Sequence, residues 1–419
     1  MSKNRRRKKR KLKIVPIIIL FLAVTILGIG AVFIIKYNDK PSTLPSKVEK
    51  PEEVEKPKEY TASLIMVGDA LIHSSVYKDA NKLANYQGYD FKPQIEFIKE
   101  KVKDYDIGYY NQETILGGTS ISLSDYPTFN SPQEVGDAMI DAGFNLVSLA
   151  TNHTVDRGKN AVLLSREYWN KQEGVHAVGS YSSSEEKENL ETKVLEINNI
   201  KYAMLNYTYG TNGMPVANDY LVNVWPTNLD LNIVSSDQKY QAYKEIVAKD
   251  IEKIKDKVDV LIVAMHWGVE YTHKPTAYEK DMATFLADKD VDIIIGTHPH
   301  VIQPVEWIDD TIVFYSLGNF ISAQYQNQGT CSNYKCMVGL MSSLKITKTE
   351  FKGETTIKID NIENDLIYTY YSGWRNFKVI PFSHEKIKDY LPNYQNVYDT
   401  YAKVIESNDE RIKTVPLTE

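Results

Sequence analysis

Short apolar runs rich in β-branched residues alternate along this chain with segments of helical periodicity, and that alternation restricts the fold more than any other feature. The strand candidates are Ala62–Val67, Ile107–Tyr110, Asn145–Leu149, Lys201–Asn206, Val258–Met265, Val291–Ile295 and Thr311–Leu317. Between them, Gln94–Lys103, Pro132–Ala142, Arg157–Glu173, Asp237–Lys255 and Ala277–Asp288 carry helical spacing. Strand and helix in alternation predict an α/β sandwich. The best-signalled helix has Ser131 as N-cap, Pro132 at its first position, Glu134 to complete a capping box and Gly143 just past its end. From Met337 two long alternating runs, MVGLMSSLKIT and FKGETTIKIDNI, predict antiparallel hairpins that form or extend a second sheet. The residues after Ser383 predict one or two short amphipathic helices.

The N-terminus is of a different kind. Of 419 residues, 49 are Lys or Arg and 55 are Asp or Glu, a formal net charge of −6. Nine of the basic residues fall within the first thirteen positions, so the chain from Ile14 onward has 40 basic against 55 acidic residues, a net −15. A nucleic-acid binder concentrates positive charge on its folded part, so this distribution argues against nucleic acid and for a membrane address. Ile14 to Ile35 is an uncharged run long enough, at roughly 33 Å as a helix, to cross a bilayer. It lacks the small-residue cleavage site of a signal peptide and reads as an uncleaved transmembrane signal anchor over 14–36. The basic tail 1–13 then stays cytoplasmic, and everything after Lys36 is extracytoplasmic. Residues 37–60, with Pro41, Pro45, Pro51 and Pro57 among Lys and Glu, predict an extended linker. The globular domain is expected over 61–383, followed by a tail over 384–419.

Unusual polar residues stand at the carboxyl ends of the predicted strands, where open α/β sheets gather functional groups. Gly68-Asp69 follows the first strand, Asn111-Gln112-Glu113 the second, Thr151-Asn152-His153 the third, His266 a later one, and Thr297-His298-Pro299-His300 the next. Five of the eight histidines, His73, His153, His266, His298 and His300, lie in these loops. Imidazole, carboxylate and amide oxygen without thiols suit Zn²⁺, Mn²⁺ or Fe in a reactive rather than a purely structural site. A carboxylate between two such groups is the arrangement that bridges two metals in a hydrolase. The blander reading is that each imidazole only caps or hydrogen-bonds an α/β core, but that reading does not account for five strand ends at once.

These residues resemble the capsule-synthesis CapA family, associated with poly-γ-glutamate, within the calcineurin-like metallophosphoesterase superfamily. The resemblance runs from about Ser63 to Phe320. It is carried by Gly68-Asp69, Asn111-Gln112-Glu113-Thr114, Ala150-Thr151-Asn152-His153 with Asp156 and Gly158, His266-Trp267-Gly268-Val269-Glu270, Gly296-Thr297-His298-Pro299-His300-Val301 and Ser316-Leu317-Gly318-Asn319-Phe320. It implies a four-layer α/β/β/α sandwich and two divalent metal ions, Mn, Zn or Fe. In that pattern Asp69 and His300 serve the first metal, Glu113 bridges, and Asn152, His266 and His298 serve the second. His153 would protonate the leaving oxygen with Asp156 orienting it, Glu270 would fix an imidazole tautomer, and Asn319 would shape the site wall. The sequence departs from the superfamily at two points: position 71 is Leu where an imidazole is usual, leaving His73 as the nearest, and the bridging residue is Glu rather than Asp.

Two features lie outside that pattern. Cys331 and Cys336, the only cysteines, read as a disulfide on the extracytoplasmic side, with free thiols or a metal pair as alternatives. The stretch from Tyr207 to Trp225 reads as a lid or substrate loop. No glycine-rich loop precedes a Lys-Ser/Thr pair, so nucleotide-dependent ligation has no support. Two functions remain: a component of capsule-polymer synthesis or export, working with other membrane subunits on an anionic polymer, or a metal-dependent phosphoesterase acting on a cell-envelope substrate unrelated to capsule.

Overall fold

In the computed structural model, which describes residues 56–225, 236–324 and 329–417, the chain builds two sheets. The first begins with four parallel strands, β1 (Lys58–Ala70), β2 (Ile107–Asn111), β3 (Leu146–Ser148) and β4 (His176–Val178), in that spatial order. The second takes β5 (Leu195–Ile197), β6 (Ile200–Thr208), β7 (Val260–His266), β8 (Ile293–Thr297), β9 (Val305–Ile308) and β10 (Thr311–Phe314), ordered β5-β6-β7-β8-β10-β9. The chain then returns to the first sheet. β11 (Asn319–Ile321) runs parallel to the end of β1, while β12 (Val338–Phe351), β13 (Glu354–Ser372) and β14 (Arg375–Pro381) extend that sheet antiparallel from β1 outward. The C-terminal hairpins therefore enlarge the sheet of the N-terminal strand instead of building on a second one.

Period-two alternation places the second sheet between two environments. Met204, Ile262, Ala264, Ile293 and Ile295 join a core with first-sheet residues such as Leu64, Met66 and Leu146. Their neighbours Ala203, Leu205, Val263 and Ile294 face Val247 and Ile251 of the helix Ser236–Ile254 and Met282, Ala283 and Leu286 of the helix Ala277–Asp288. Helices Glu96–Val102 and Glu134–Asp141 contribute Phe97, Ile98, Val135, Ala138 and Met139 to the first-sheet core.

Several boundaries differ from the sequence expectation. The helix expected from Pro132 starts at Glu134 with Gln133 as an uncapped N-cap, because the Ser131 hydroxyl is 2.8 Å from that of Thr114 and ties down the loop after β2. A full capping box sits instead at Thr276 and Glu279. Gly143 does end its helix, at φ 107°. The expected linker is shorter than 37–60, since Lys58, Glu59 and Tyr60 already pair with β12. The rest of the linker up to residue 55, the basic tail and the expected membrane span lie outside the described residues. Among the described residues no helix is long and apolar enough to cross a membrane. The segment after Ser383 is part of the globular core, with Val397, Tyr401 and Ile405 of the helix Tyr394–Ile405 buried against it. Cys331 and Cys336 form a disulfide.

Asp365 in β13 anchors that C-terminal segment by accepting from the backbone N–H (3.2 Å) and the hydroxyl of Ser383. Burial pushes its carboxyl up to about 6, against the opposing effect of the Ser383 hydrogen bonds. The folded carboxyl therefore holds its proton to higher pH than the unfolded one. The native state binds more protons between about pH 4 and pH 6, and stability falls as pH rises through that window. We expect denaturant titrations to show a loss on the order of 2 kcal/mol there, and Asp365→Asn to remove most of that slope. An Asn chain with an unchanged slope would mean that another group is responsible.

Gly68 is the tightest point beneath the strand ends. A Cβ there would lie 1.8 Å from the carbonyl oxygen of Gly318, which is held in place by the Asp69 N–H at 2.9 Å. Backbone has nowhere to yield, so Gly68→Ala is expected to cost about 3 kcal/mol or more in chemical denaturation, with Asp69 displaced as well. A cost below about 1 kcal/mol would show that the β1 end is looser than this contact.

Candidate metal centre

The carboxyl ends of β1, β2, β3, β7 and β8 converge, and the loops leaving them bring the sequence-predicted residues to one buried place. Asp69 is in β1 itself, beside Asn111 in β2 and Asn319 in β11. Glu113 follows β2, Asn152 and His153 follow β3, His266 ends β7, and His298 and His300 follow β8. All are buried.

Glu113, His298 and His300 each offer a ligand atom, and these atoms lie within 4.8 Å of one another. Glu113 Oε1 is 3.5 Å from His300 Nε2 and 3.9 Å from His266 Nε2, so this carboxylate stands between two imidazoles. Neither Glu113 oxygen has a hydrogen-bond partner, and neither does Nδ1 of His298. Orphaned carboxylate and imidazole atoms this deeply buried are costly by themselves, and they are the donor set that a divalent cation takes. The residues present therefore fit a metal ion.

Burial pushes the Glu113 carboxyl well above its ordinary range; His300 opposes this, and the Asp69 and Glu270 carboxylates add to it. Burial alone would lower His300, but Glu113 and Asp69 outweigh it and hold that imidazole up to about 9. Both shifts have one meaning: the pocket carries excess negative charge and gathers positive charge, as protons or as a cation. His266 and His298 are pushed well below their usual value by burial and neighbouring imidazoles, which keeps them in the neutral form that ligates.

The remaining side chains hold this group in position. Asp69 Oδ2 accepts from the His298 backbone N–H at 3.3 Å and lies 3.2 Å from His300 Nδ1, while Oδ1 accepts from Asn111 Nδ2 at 2.8 Å. Asp69 is thus engaged in orienting the His298–His300 segment. His300 Nδ1 also lies 3.1 Å from Asn319 Oδ1, so Asn319 contacts an imidazole of the site as well as forming its wall. His266 Nδ1 faces Thr297 Oγ1 at 3.0 Å and its Nε2 faces Asn152 Oδ1 at 2.9 Å. His298 and His300 both have left-handed backbone, φ 98° and 58°, a strain of about 1–3 kcal/mol each that the surrounding contacts must hold.

His73, the imidazole nearest position 71, has its Nδ1 3.2 Å from the Ala323 N and 3.1 Å from the Leu71 O, its ring packs edge-on to Phe129, and burial pushes it down to about 4. Position 71 is a buried Leu. Glu270 is exposed and partners Tyr271, while the tautomer-fixing contact to His266 comes from Thr297.

His153 lies near the imidazole cluster but has a carboxylate partner of its own. Its Nδ1 is 2.7 Å from Asp156 Oδ2, which also accepts from the Phe129 N–H at 2.7 Å, and its ring meets Phe129 edge-on. With Nδ1 held by a carboxylate, Nε2 is the edge available to a substrate.

Three contributors carry weak sequence signals. Asn206 in β6 accepts from the N–H groups of Leu149 (2.9 Å) and Ala150 (2.6 Å), fixing the Asn152–His153 loop from the opposite sheet. Its only signal is an amide inside an apolar strand. Tyr209 lies 4.6 Å ring to ring from His298 and hydrogen-bonds Asn152, which places the start of the Tyr207–Trp225 stretch against the site. Tyr271 lies 5.9 Å from His300.

The chain is similar in sequence to known biosynthesis proteins. Over 274 residues the chain is 27% identical to the capsule biosynthesis protein CapA of Bacillus anthracis, covering 62% of this chain and 60% of that protein. Over 185 residues it is 30% identical to the PGA biosynthesis protein CapA of Bacillus subtilis (strain 168), 44% of each. The chain therefore spans less than two thirds of the length of these relatives. The model of the bacterial capsule synthesis protein PGA_cap matches residues 63–324, a stretch that begins in β1, contains every residue of the metal group and ends just after β11. With more than half of its length matched, the chain belongs to the bacterial capsule synthesis PGA_cap family.

Proposed function

We propose that this protein is a membrane-anchored, extracytoplasmic component of capsule-polymer synthesis or export that carries a metallophosphoesterase-type site. The names of its relatives, capsule biosynthesis and PGA biosynthesis, support the process. The uncharged run from Ile14 to Ile35 behind a basic tail supports the anchor and its orientation, and so a place beside other membrane subunits. Two facing sheets with helices outside them support the metallophosphoesterase-like layering.

The observation that carries the site reading is the buried Glu113 carboxylate, both oxygens unpartnered, set between His266 and His300. In this reading Glu113, His298 and His300 hold the ion, with His266, Asn152 and Asp69 as further donors toward one or two ions of the Mn, Zn or Fe type. A divalent ion bound there polarises a phosphoryl oxygen and makes water a competent nucleophile near neutral pH. The chain's own part is to seat the phosphoester against this group and to exclude bulk water. His153 Nε2 then gives a proton to the departing oxygen, with Asp156 holding the imidazole in the required orientation. Poly-γ-glutamate contains no phosphate, so the same chemistry supports a second reading, a phosphoesterase of a cell-envelope substrate unrelated to capsule.

The test is metal analysis of the full chain after reconstitution with Mn²⁺ or Zn²⁺, together with hydrolysis of phosphomonoesters and phosphodiesters. The expected result is at least one ion retained per chain and metal-dependent turnover. A chain that retains no ion ends the metal reading; retention without turnover, with polymer export lost on changing His266, leaves the assembly role alone.

A further inference from the structure

The Cys331–Cys336 disulfide closes the short turn Ser332-Asn333-Tyr334-Lys335 just ahead of β12. Asn333 and Tyr334 both have left-handed backbone, φ 58° and 61°, a conformation that two consecutive residues bearing side chains hold only under constraint. Both cysteines are buried, and they pack with Val301, the residue after His300, and with Tyr271. Cys331 also lines a cleft of about 870 Å³ together with Tyr271, Gln324 and His73.

Polar contacts carry this turn into the metal group. The Cys336 carbonyl and Gln324 Oε1 accept from Asn319 Nδ2 at 2.8 and 2.7 Å. Gln324 Nε2 donates to the Tyr271 hydroxyl at 3.0 Å, and Lys335 Nζ donates to the Tyr271 carbonyl at 3.0 Å. The Tyr271 N–H in turn donates to the Pro299 carbonyl at 2.8 Å, so the turn grips the His298–His300 segment from a second side.

A backbone carbonyl only accepts, so Cys336 decides which way the Asn319 amide points. With Nδ2 turned to Cys336, Oδ1 faces His300 Nδ1 at 3.1 Å. An oxygen there accepts as well, so Nδ1 carries a proton and Nε2, 3.5 Å from Glu113 Oε1, is the atom left for an ion. Asp69 Oδ2, 3.2 Å from the same Nδ1, asks for the same arrangement.

We propose that the Cys331–Cys336 disulfide is a positioning element of the metal centre, holding the Cys336 carbonyl on Asn319 and thereby His300 with its Nε2 toward the ion. It deepens the metal-site reading and rests on it for the ion alone; the clamp on Asn319 and His300 needs none. Such a bond persists on the oxidising side of a membrane and not in a reduced cytosol, so the same tie makes ion binding strongest there.

The test measures Mn²⁺ or Zn²⁺ affinity of the full chain in detergent by dialysis and metal analysis. Cys331→Ala/Cys336→Ala, which stands for the reduced chain, should bind about tenfold more weakly than the wild type, the size of loss given by a partner that orients a ligand. Asn319→Ala should lose a similar amount. The chain carrying all three changes should bind no worse than either, because both act through one contact. Wild-type affinity without the disulfide, or losses that simply add, overturns the proposal. Hydrogen exchange of the metal-free chain supplies a second readout. Without the disulfide, exchange at 296–302 and 316–322 should quicken several-fold while β6 and β7 exchange as before. Unchanged exchange at those two segments also overturns it. If the wild type retains no ion, the metal reading fails, and the exchange comparison alone decides whether the disulfide positions Asn319 and His300.

Discussion

A Glu113→Gln chain is expected to lose bound transition metal by about 100-fold or more in affinity, measured by metal analysis after reconstitution and dialysis, and to lose phosphoester turnover with it. The amide keeps the shape of the side chain and removes its charge. In the metal-free protein that charge is a burden, because both oxygens are buried without partners and the carboxyl is pushed well above its ordinary range by burial. The same substitution should therefore raise the unfolding temperature of the metal-free protein by a few degrees while abolishing the further rise that metal gives the wild type. These two opposite effects distinguish a functional carboxylate from a structural one. A structural Glu113 would destabilise when changed, and a Gln chain that keeps its ion would remove Glu113 from the centre of the site.

The physics that made parts of this arrangement legible also explains what was hidden. Strands such as β7 and β8 are buried on both faces and leave continuous apolar runs, VLIVAMH and IIIGT, that stand out in any reading. β4, β5 and β11 have three residues each, too few for a period to show. The helix Ser74–Leu83 buries only Val76, Asp79 and Ala80, so its apolar stripe is faint and one of its inward residues is an acid that serves β14. In the site, the strand-end rule finds Asp69, Glu113, Asn152, His266, His298 and His300 because it concerns backbone direction, which sequence pattern reveals. It does not assign second partners. Thr297 on His266 and Asn206 beneath the Asn152 loop act through contacts between different strands and sheets. Asp69 holds His300 because β11 and the His298–His300 loop both meet the end of β1, a consequence of topology that local sequence does not record.

Changing His153 to Ala should give the other large effect, a fall of about 10² to 10⁴ in turnover with metal content unchanged. The hydrogen-bond partner of this imidazole is Asp156 at 2.7 Å, outside the ion-holding group, and Phe129 meets it edge-on. Its removal therefore leaves the ion-holding side chains as they are, unlike the Glu113 substitution. Asp156→Asn should cost less than His153→Ala, because it retains the imidazole and loses only the carboxylate that orients it. The loss should be greatest for substrates with poor leaving groups and small for aryl phosphates, whose departing oxygen needs no proton. Uniform losses across leaving groups would assign His153 to binding. If capsule polymer still accumulates normally in cells carrying His153→Ala but not in cells carrying Glu113→Gln, the metal group matters to the polymer through binding, and proton transfer by His153 belongs to a separate reaction.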